Sequence, residues 1–222
     1  PSRDRGVQWS PDGSRIAFYS DRYGKYELWS IRPDGSGLQQ LTTTDIWADF
    51  GVWSPDGTRI TTQLGNQGTA IFDLRGELPT RPTEELPPIG DGTVLSGSAW
   101  SLDGRFLLGF AVKPDGSPAE HVVAWDFQDR SYRTVMAGIS GSSASIQLGK
   151  WLRNTSKIAF SRDGALYLAD IVTGEESLLL EPGRGEVYSK PEPREDGREI
   201  FFLQEEHQAD VWLAAVTGGG AL

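Results

Sequence analysis

A short phrase that keeps returning restricts this chain more than any other feature. It reads WSPDGSRIAF from Trp9, WSPDGTRITT from Trp53 and WSLDGRFLLG from Trp100. Each copy joins an aromatic residue, a polar Asp-Gly corner and an alternating apolar run, which is the pattern of two antiparallel strands meeting at a tight turn. Pro presets φ near −65° early in the corner, Asp supplies a local hydrogen bond, and Gly takes the positive φ that follows. Degenerate copies lie at WLRNTSKIAF (Trp151 to Phe160) and PREDGREIFF (Pro193 to Phe202). The interval, roughly 44 residues, suits a propeller blade of four short strands and not a helical solenoid.

Every copy carries a second phrase downstream with an aromatic at a fixed place: ELWSI, AIFDL, VAWDF, ALYLADI and DVWLAAV. These read as third strands. Turns such as RPDGSG and VTGE then lead to fourth segments, LQQLT, SYRTVM and ESLLL. The chain is therefore expected to be one all-β domain over 1–222, with repeats at about 1–42, 43–90, 91–137, 138–181 and 182–222. No helical period is sustained, because Gly or Pro interrupts nearly every long window. Trp9, Trp53, Trp100 and Trp151 share one repeat position; Trp29, Trp125 and Trp212 share another, where Phe72 and Tyr167 substitute. Rings at both positions are expected to fill the wedge between neighbouring blades. Trp47 falls outside both positions and is the tryptophan expected to be free for binding.

Net charge is −10. Phosphate-seeking attraction to nucleic acid or to anionic lipid is thereby disfavoured, and a protein or peptide partner, neutral or cationic, fits better. With no cysteine there is neither a disulfide framework nor a thiolate metal site. The longest apolar run, FLLGFAV from Phe106 to Val112, is far shorter than the ~20 residues of a membrane-spanning helix.

The WSPDG(S/T)RIAF phrase, its following LW or IF strand and the PDGSG turn together resemble the WD-like Pro-Asp repeat of the TolB-like β-propeller family, and the resemblance runs through all five copies. It implies a bacterial β-propeller of four-stranded blades and a periplasmic or otherwise extracytoplasmic setting. It also implies the role of a noncatalytic adaptor or sensor, a scaffold that recognises a protein, a peptide or a small ligand. A second use of related propellers is as the substrate-gating part of prolyl-oligopeptidase-like serine hydrolases. Family members commonly carry six or seven blades, so five repeats imply either a ring closed with five or an arc cut from a six- to eight-bladed propeller.

Catalytic signatures are sparse. No G-x-S-x-G pentapeptide occurs, and GISGSS (Gly138 to Ser143) misplaces its serine. His121 and His207 are far apart in sequence, with no H-x-x-H spacing or cysteine partner. Asp12, Asp56, Asp103 and Asp196 all sit in the repeated corner, where turn hydrogen bonding accounts for them. The expectation is a chain that is not an enzyme and needs neither metal nor cofactor.

Function is expected on the irregular connections between second and third strands and between successive repeats, since variable loops on a rigid scaffold carry binding groups. There Tyr23, Trp47, Asp49, Arg184, Glu186 and Tyr188 supply aromatic rings and both charge signs. The fifth repeat ends in TGGGAL where a fourth strand is due, so its sheet is expected to be one strand short.

Overall fold

The computed structural model describes residues 2–75, 81–90, 92–137, 146–153, 155–194, 198–205 and 209–215. Nineteen strands and no helix are found among them. The first sheet is β1 (Asp4–Trp9), β2 (Ile16–Ser20), β3 (Glu27–Ile31) and β4 (Gln39–Gln40), hydrogen-bonded in that order. The second repeats the plan with β5 (Ala48–Trp53), β6 (Arg59–Leu64), β7 (Thr69–Asp73) and β8 (Glu84–Glu85). The third has β9 (Val94–Trp100), β10 (Phe106–Val112), β11 (Pro118–Asp126) and β12 (Ser131–Ala137). The fourth has β13 (Ile146–Trp151), β14 (Lys157–Arg162), β15 (Ala165–Asp170) and β16 (Glu176–Leu180). The fifth, β17 (Val187–Pro193), β18 (Glu199–Glu205) and β19 (Ala209–Ala215), has three strands among the described residues instead of four.

The corners form as their chemistry dictates. Ser10 N–H donates to Arg15 O (2.8 Å) and Gly13 N–H to Ser10 O (2.9 Å), with Gly13 at φ 68°. The Ser10 hydroxyl reaches Asp12 Oδ1 (2.6 Å), which also accepts from Ser14 N–H (3.0 Å). Those bonds hold Asp12 ionised, its carboxyl drawn down to about 2, with Ser10 the leading cause. The set repeats at Ser54, Asp56, Thr58 and Arg59. In the fourth sheet Thr155 stands where Gly13 and Gly57 do, and its hydroxyl takes the Lys157 N–H (3.1 Å). These carboxylates are turn groups; Asp196 lies outside the described residues.

Tertiary packing divides the chain into two compact units: Pro1–Trp100 with Gly104–Ala119, and Ser101–Asp103 with Glu120–Leu222. In the first, Ala17, Tyr19, Leu28 and Leu41 of the leading repeat pack with Ala48, Ile60, Leu64, Ala70 and Phe72 of the next, and Trp53 rests against this cluster. In the second, Leu166, Tyr188 and Phe202 form one cluster, while Leu152, Ala159, Leu168 and Ile200 form another. Trp29, Trp100, Trp125 and Trp151 are all buried, as packing residues should be. Trp9 departs from the expectation. It is 58% exposed and lies on a strand exposed throughout. Residues of the first sheet belong to the cluster that covers Trp53, and Trp9, on that first sheet itself, has no such cover within this unit. The Trp212 side chain lies outside the described residues.

Candidate functional site

Trp47 owes its position to a carboxylate. Glu27, at the start of β3, is only 4% exposed and accepts from the Thr42 hydroxyl (2.6 Å) and the Thr44 N–H (2.8 Å). Thr42 Oγ1 in turn accepts the Leu28 N–H (2.9 Å). A buried carboxylate so surrounded fixes the backbone of 42–44, the segment that leads into β5. At its end Trp47 is 48% exposed. Its carbonyl accepts from Gly65 N–H (3.1 Å), and its indole lies so close to Gly65 that a Cβ there would stand 3.3 Å from the ring.

Just beyond, β5 carries a bulge between Asp49 and Val52 in its pairing with β6. Phe50, inside the bulge, has φ 49°, a left-handed conformation that costs a non-glycine residue roughly 1–2 kcal/mol. The bulge re-aims the side chain. Phe50 is 58% exposed while its ring contacts Tyr19 at 5.4 Å between centroids. Tyr19 also meets Tyr26 edge-on at 5.2 Å, so the exposed ring stands on a packed aromatic base.

Asp49 precedes the bulge and faces Gln63 across β5 and β6. Asp49 Oδ1 and Gln63 Oε1 are both withdrawn from solvent, and neither has a hydrogen-bond partner. The Gln63 amide nitrogen donates to Gly65 O (2.9 Å), which fixes the orientation of the amide. Burial raises the Asp49 carboxyl from 3.8 to about 6. The folded state thus holds a proton on Asp49 over the window from about pH 4 to 6 that the unfolded chain has lost, so this group's contribution to stability falls as pH rises through that window. Asp49→Asn is expected to match the parent near pH 4 and to exceed it by about 1–2 kcal/mol at pH 7.5, after allowance for solvent screening of a half-buried group. Paired urea titrations at the two pH values measure this. A variant destabilised equally at both would contradict it.

The other residues expected at the site divide. Tyr23 is 79% exposed, beside Trp29 at 5.4 Å, and Arg22 lies over the same Trp29 ring at 4.6 Å. Tyr23, Trp47 and Asp49 belong to the first unit, whereas Arg184, Glu186 and Tyr188 belong to the second. Arg184 is exposed. Glu186 organises its own turn, accepting from Gly183 N–H (2.9 Å), the Tyr188 hydroxyl (2.7 Å) and Gln204 Nε2 (3.0 Å). Tyr188, expected among the free aromatics, is only 8% exposed, with its ring 5.0 Å from Phe202. The correction has a simple cause. β17 begins at Val187, so Tyr188 lies in a strand and turns into the core.

Three participants escaped the sequence reading: Glu27, Phe50 and Gln63. Of these only Glu27 left a trace, as an acidic residue opening an apolar third strand. On the corner side, Pro11, Pro55, Leu41, Trp53, Leu74, Arg15 and neighbouring turn residues line a cleft of about 460 Å³. Among the described residues no group of three or more His, Asp or Glu side chains is placed to hold a metal ion. His207 and the GISGSS segment lie outside the described residues.

No protein-family profile matches the chain. An uncharacterised protein of Agrobacterium fabrum is 36% identical over 113 residues, covering 46% of this chain and 38% of that protein. The uncharacterised peptidase YuxL of Bacillus subtilis is 38% identical over 74 residues, covering 32% of this chain and 11% of the peptidase. Among solved structures, a putative TolB from Agrobacterium tumefaciens superimposes with a TM-score of 0.67 at 16% identity, over 99% of this chain and 79% of that one. TolB from Acinetobacter baumannii gives 0.64 at 19% identity, over 96% and 53%. The fold is that of a TolB-like β-propeller. An oligogalacturonate lyase in complex with manganese shares this fold, with a TM-score of 0.71 at 15% identity, over 94% of this chain and 61% of the lyase. The propeller chain spans well under two thirds of the curated relatives it matches.

Proposed function

We propose that this TolB-like propeller is a noncatalytic recognition module, an adaptor or sensor, and that it receives a protein or peptide partner at the surface formed by Trp47, Asp49 and Phe50. The observation that carries the reading is the costly display of Phe50, an exposed ring in a left-handed bulge three residues after exposed Trp47. Rigid, exposed aromatics with a buried foundation are what interface anchors consist of. The negative net charge favours a partner with basic groups. An extracytoplasmic setting accords with the TolB likeness.

A peptide-display selection against the purified chain tests the reading. Selected peptides are expected to bind about tenfold or more weakly to Trp47→Ser with Phe50→Ser, a loss of at least ~1.4 kcal/mol. Unchanged affinity in the double variant would remove the surface from consideration. The match to YuxL supports a second reading, the propeller portion of a prolyl-oligopeptidase-like hydrolase. The likeness to oligogalacturonate lyase adds a third substrate to try. Turnover of peptide, ester or oligogalacturonate by the isolated chain would replace the recognition reading with a catalytic one.

A further inference from the structure

Asp49 and Gln63 pose a physical problem that the recognition reading leaves open. Residues directly opposite on antiparallel strands share a face, so the two side chains stand side by side. Each contributes an oxygen withdrawn from water and without a donor. Two acceptors cannot satisfy each other, and an unmet buried acceptor costs on the order of 1–3 kcal/mol. The Gln63 amide nitrogen gives one of its two N–H donors to Gly65 O, and Asp49 Oδ1 receives neither. What is missing is a donor able to serve both oxygens.

We infer that the Asp49–Gln63 pair is a receptor for a primary ammonium group carried by the partner, with the Trp47 indole alongside. Resting on the proposed recognition role, this gives the same surface a ligand chemistry. An ammonium has three N–H donors, one for each oxygen and one left for water, whereas a hydroxyl has one. Its charge matches the Asp49 carboxylate, and charge-assisted bonds are the strongest available to such a pair. Trp47 is linked to the site through Gly65, which lies against the indole and accepts from Gln63, so the indole face is available in the same neighbourhood to a cation held by the pair. Half-burial of Asp49 weakens competition from water for the same oxygens.

The test uses the whole chain labelled with ¹³C at aspartate carboxyl carbons, titrated with n-butylammonium, and with tetramethylammonium as a cation that has no N–H. The Asp49 resonance is expected to shift saturably with n-butylammonium alone, and its pKa to fall by about one unit or more. Binding should weaken about tenfold both in Asp49→Asn, whose amide supplies its own donor to Gln63, and in Gln63→Met. An Asp49 resonance indifferent to n-butylammonium would overturn the inference and leave a proton on Asp49 as the donor to Gln63. Binding by both variants as tight as the parent's would overturn it as well. Lysine-free, N-acetylated peptides that bind in a Trp47-dependent manner and ignore Asp49→Asn would sink the ammonium site but keep the recognition role. An Asp49 response to n-butylammonium without any peptide binding would do the reverse.

Discussion

Gly109→Ala is expected to destabilise the first unit by about 3–4 kcal/mol, near the upper end for a single added methyl group. Gly109 lies in β10 opposite Gly97 of β9, where the pairing register shifts. A Cβ at Gly109 would overlap the Ser96 carbonyl oxygen and stand 2.7 Å from its carbon, and backbone atoms of a paired strand cannot rotate away. Gly97 is the control. The nearest atoms to a Cβ there belong to the Leu107 side chain, which has rotamers to try, so Gly97→Ala should cost about 1–2 kcal/mol. Urea denaturation of the two variants compares them directly. Similar losses at both positions would mean that strand separation, not side-chain crowding, absorbs the strain.

Glu27→Ala should be nearly as severe, at about 2–4 kcal/mol, and its effect should be felt at the binding surface. Removing the carboxylate leaves the Thr42 hydroxyl and the Thr44 N–H without their acceptor in a buried setting. The segment 42–47 loses its carboxylate anchor to β3, so its amides should exchange with solvent far faster than those of β3 itself. Peptides selected on the parent chain should bind the variant more weakly even though neither Trp47 nor Phe50 has changed. Hydrogen exchange resolved by residue is the decisive measurement. Uniform acceleration across all the strands would point to general destabilisation instead.

Much of this architecture is legible in the chain because the information is local. Ser10, Asp12 and Gly13 hold the turn among themselves, so the same letters at Ser54, Asp56 and Gly57 carry the same shape. Trp47 is legible for the opposite reason, by standing outside the repeat. Where the reading fails, distant atoms decide the outcome. Trp9 and Trp53 sit in nearly identical phrases, yet one is exposed and the other lies against a cluster, because the covering surface belongs to a different repeat. Tyr188 follows a glycine-rich stretch that looks like loop, and the true start of the strand at Val187 depends on pairing with β18. Phe50 has no letter that announces positive φ, as Asn or Gly would. The isolation of Gln63 Oε1 follows from cross-strand register, which a bulge sets.

The left-handed bulge of β5 has counterparts. Gly6 in β1 at φ 62° and Lys190 in β17 at φ 50° stand where Phe50 does, each three residues before the corner position of Trp9, Pro193 and Trp53. Glycine occupies such a position without strain, while phenylalanine or lysine occupies it at a cost of about 1–2 kcal/mol. The repeat therefore contains a socket that is neutral by default and can be armed by a single codon change. An aromatic ring in one sheet, a cation in another and nothing in a third give one scaffold three different faces. Its binding preferences can thus drift sheet by sheet while the corners that hold the scaffold together remain untouched.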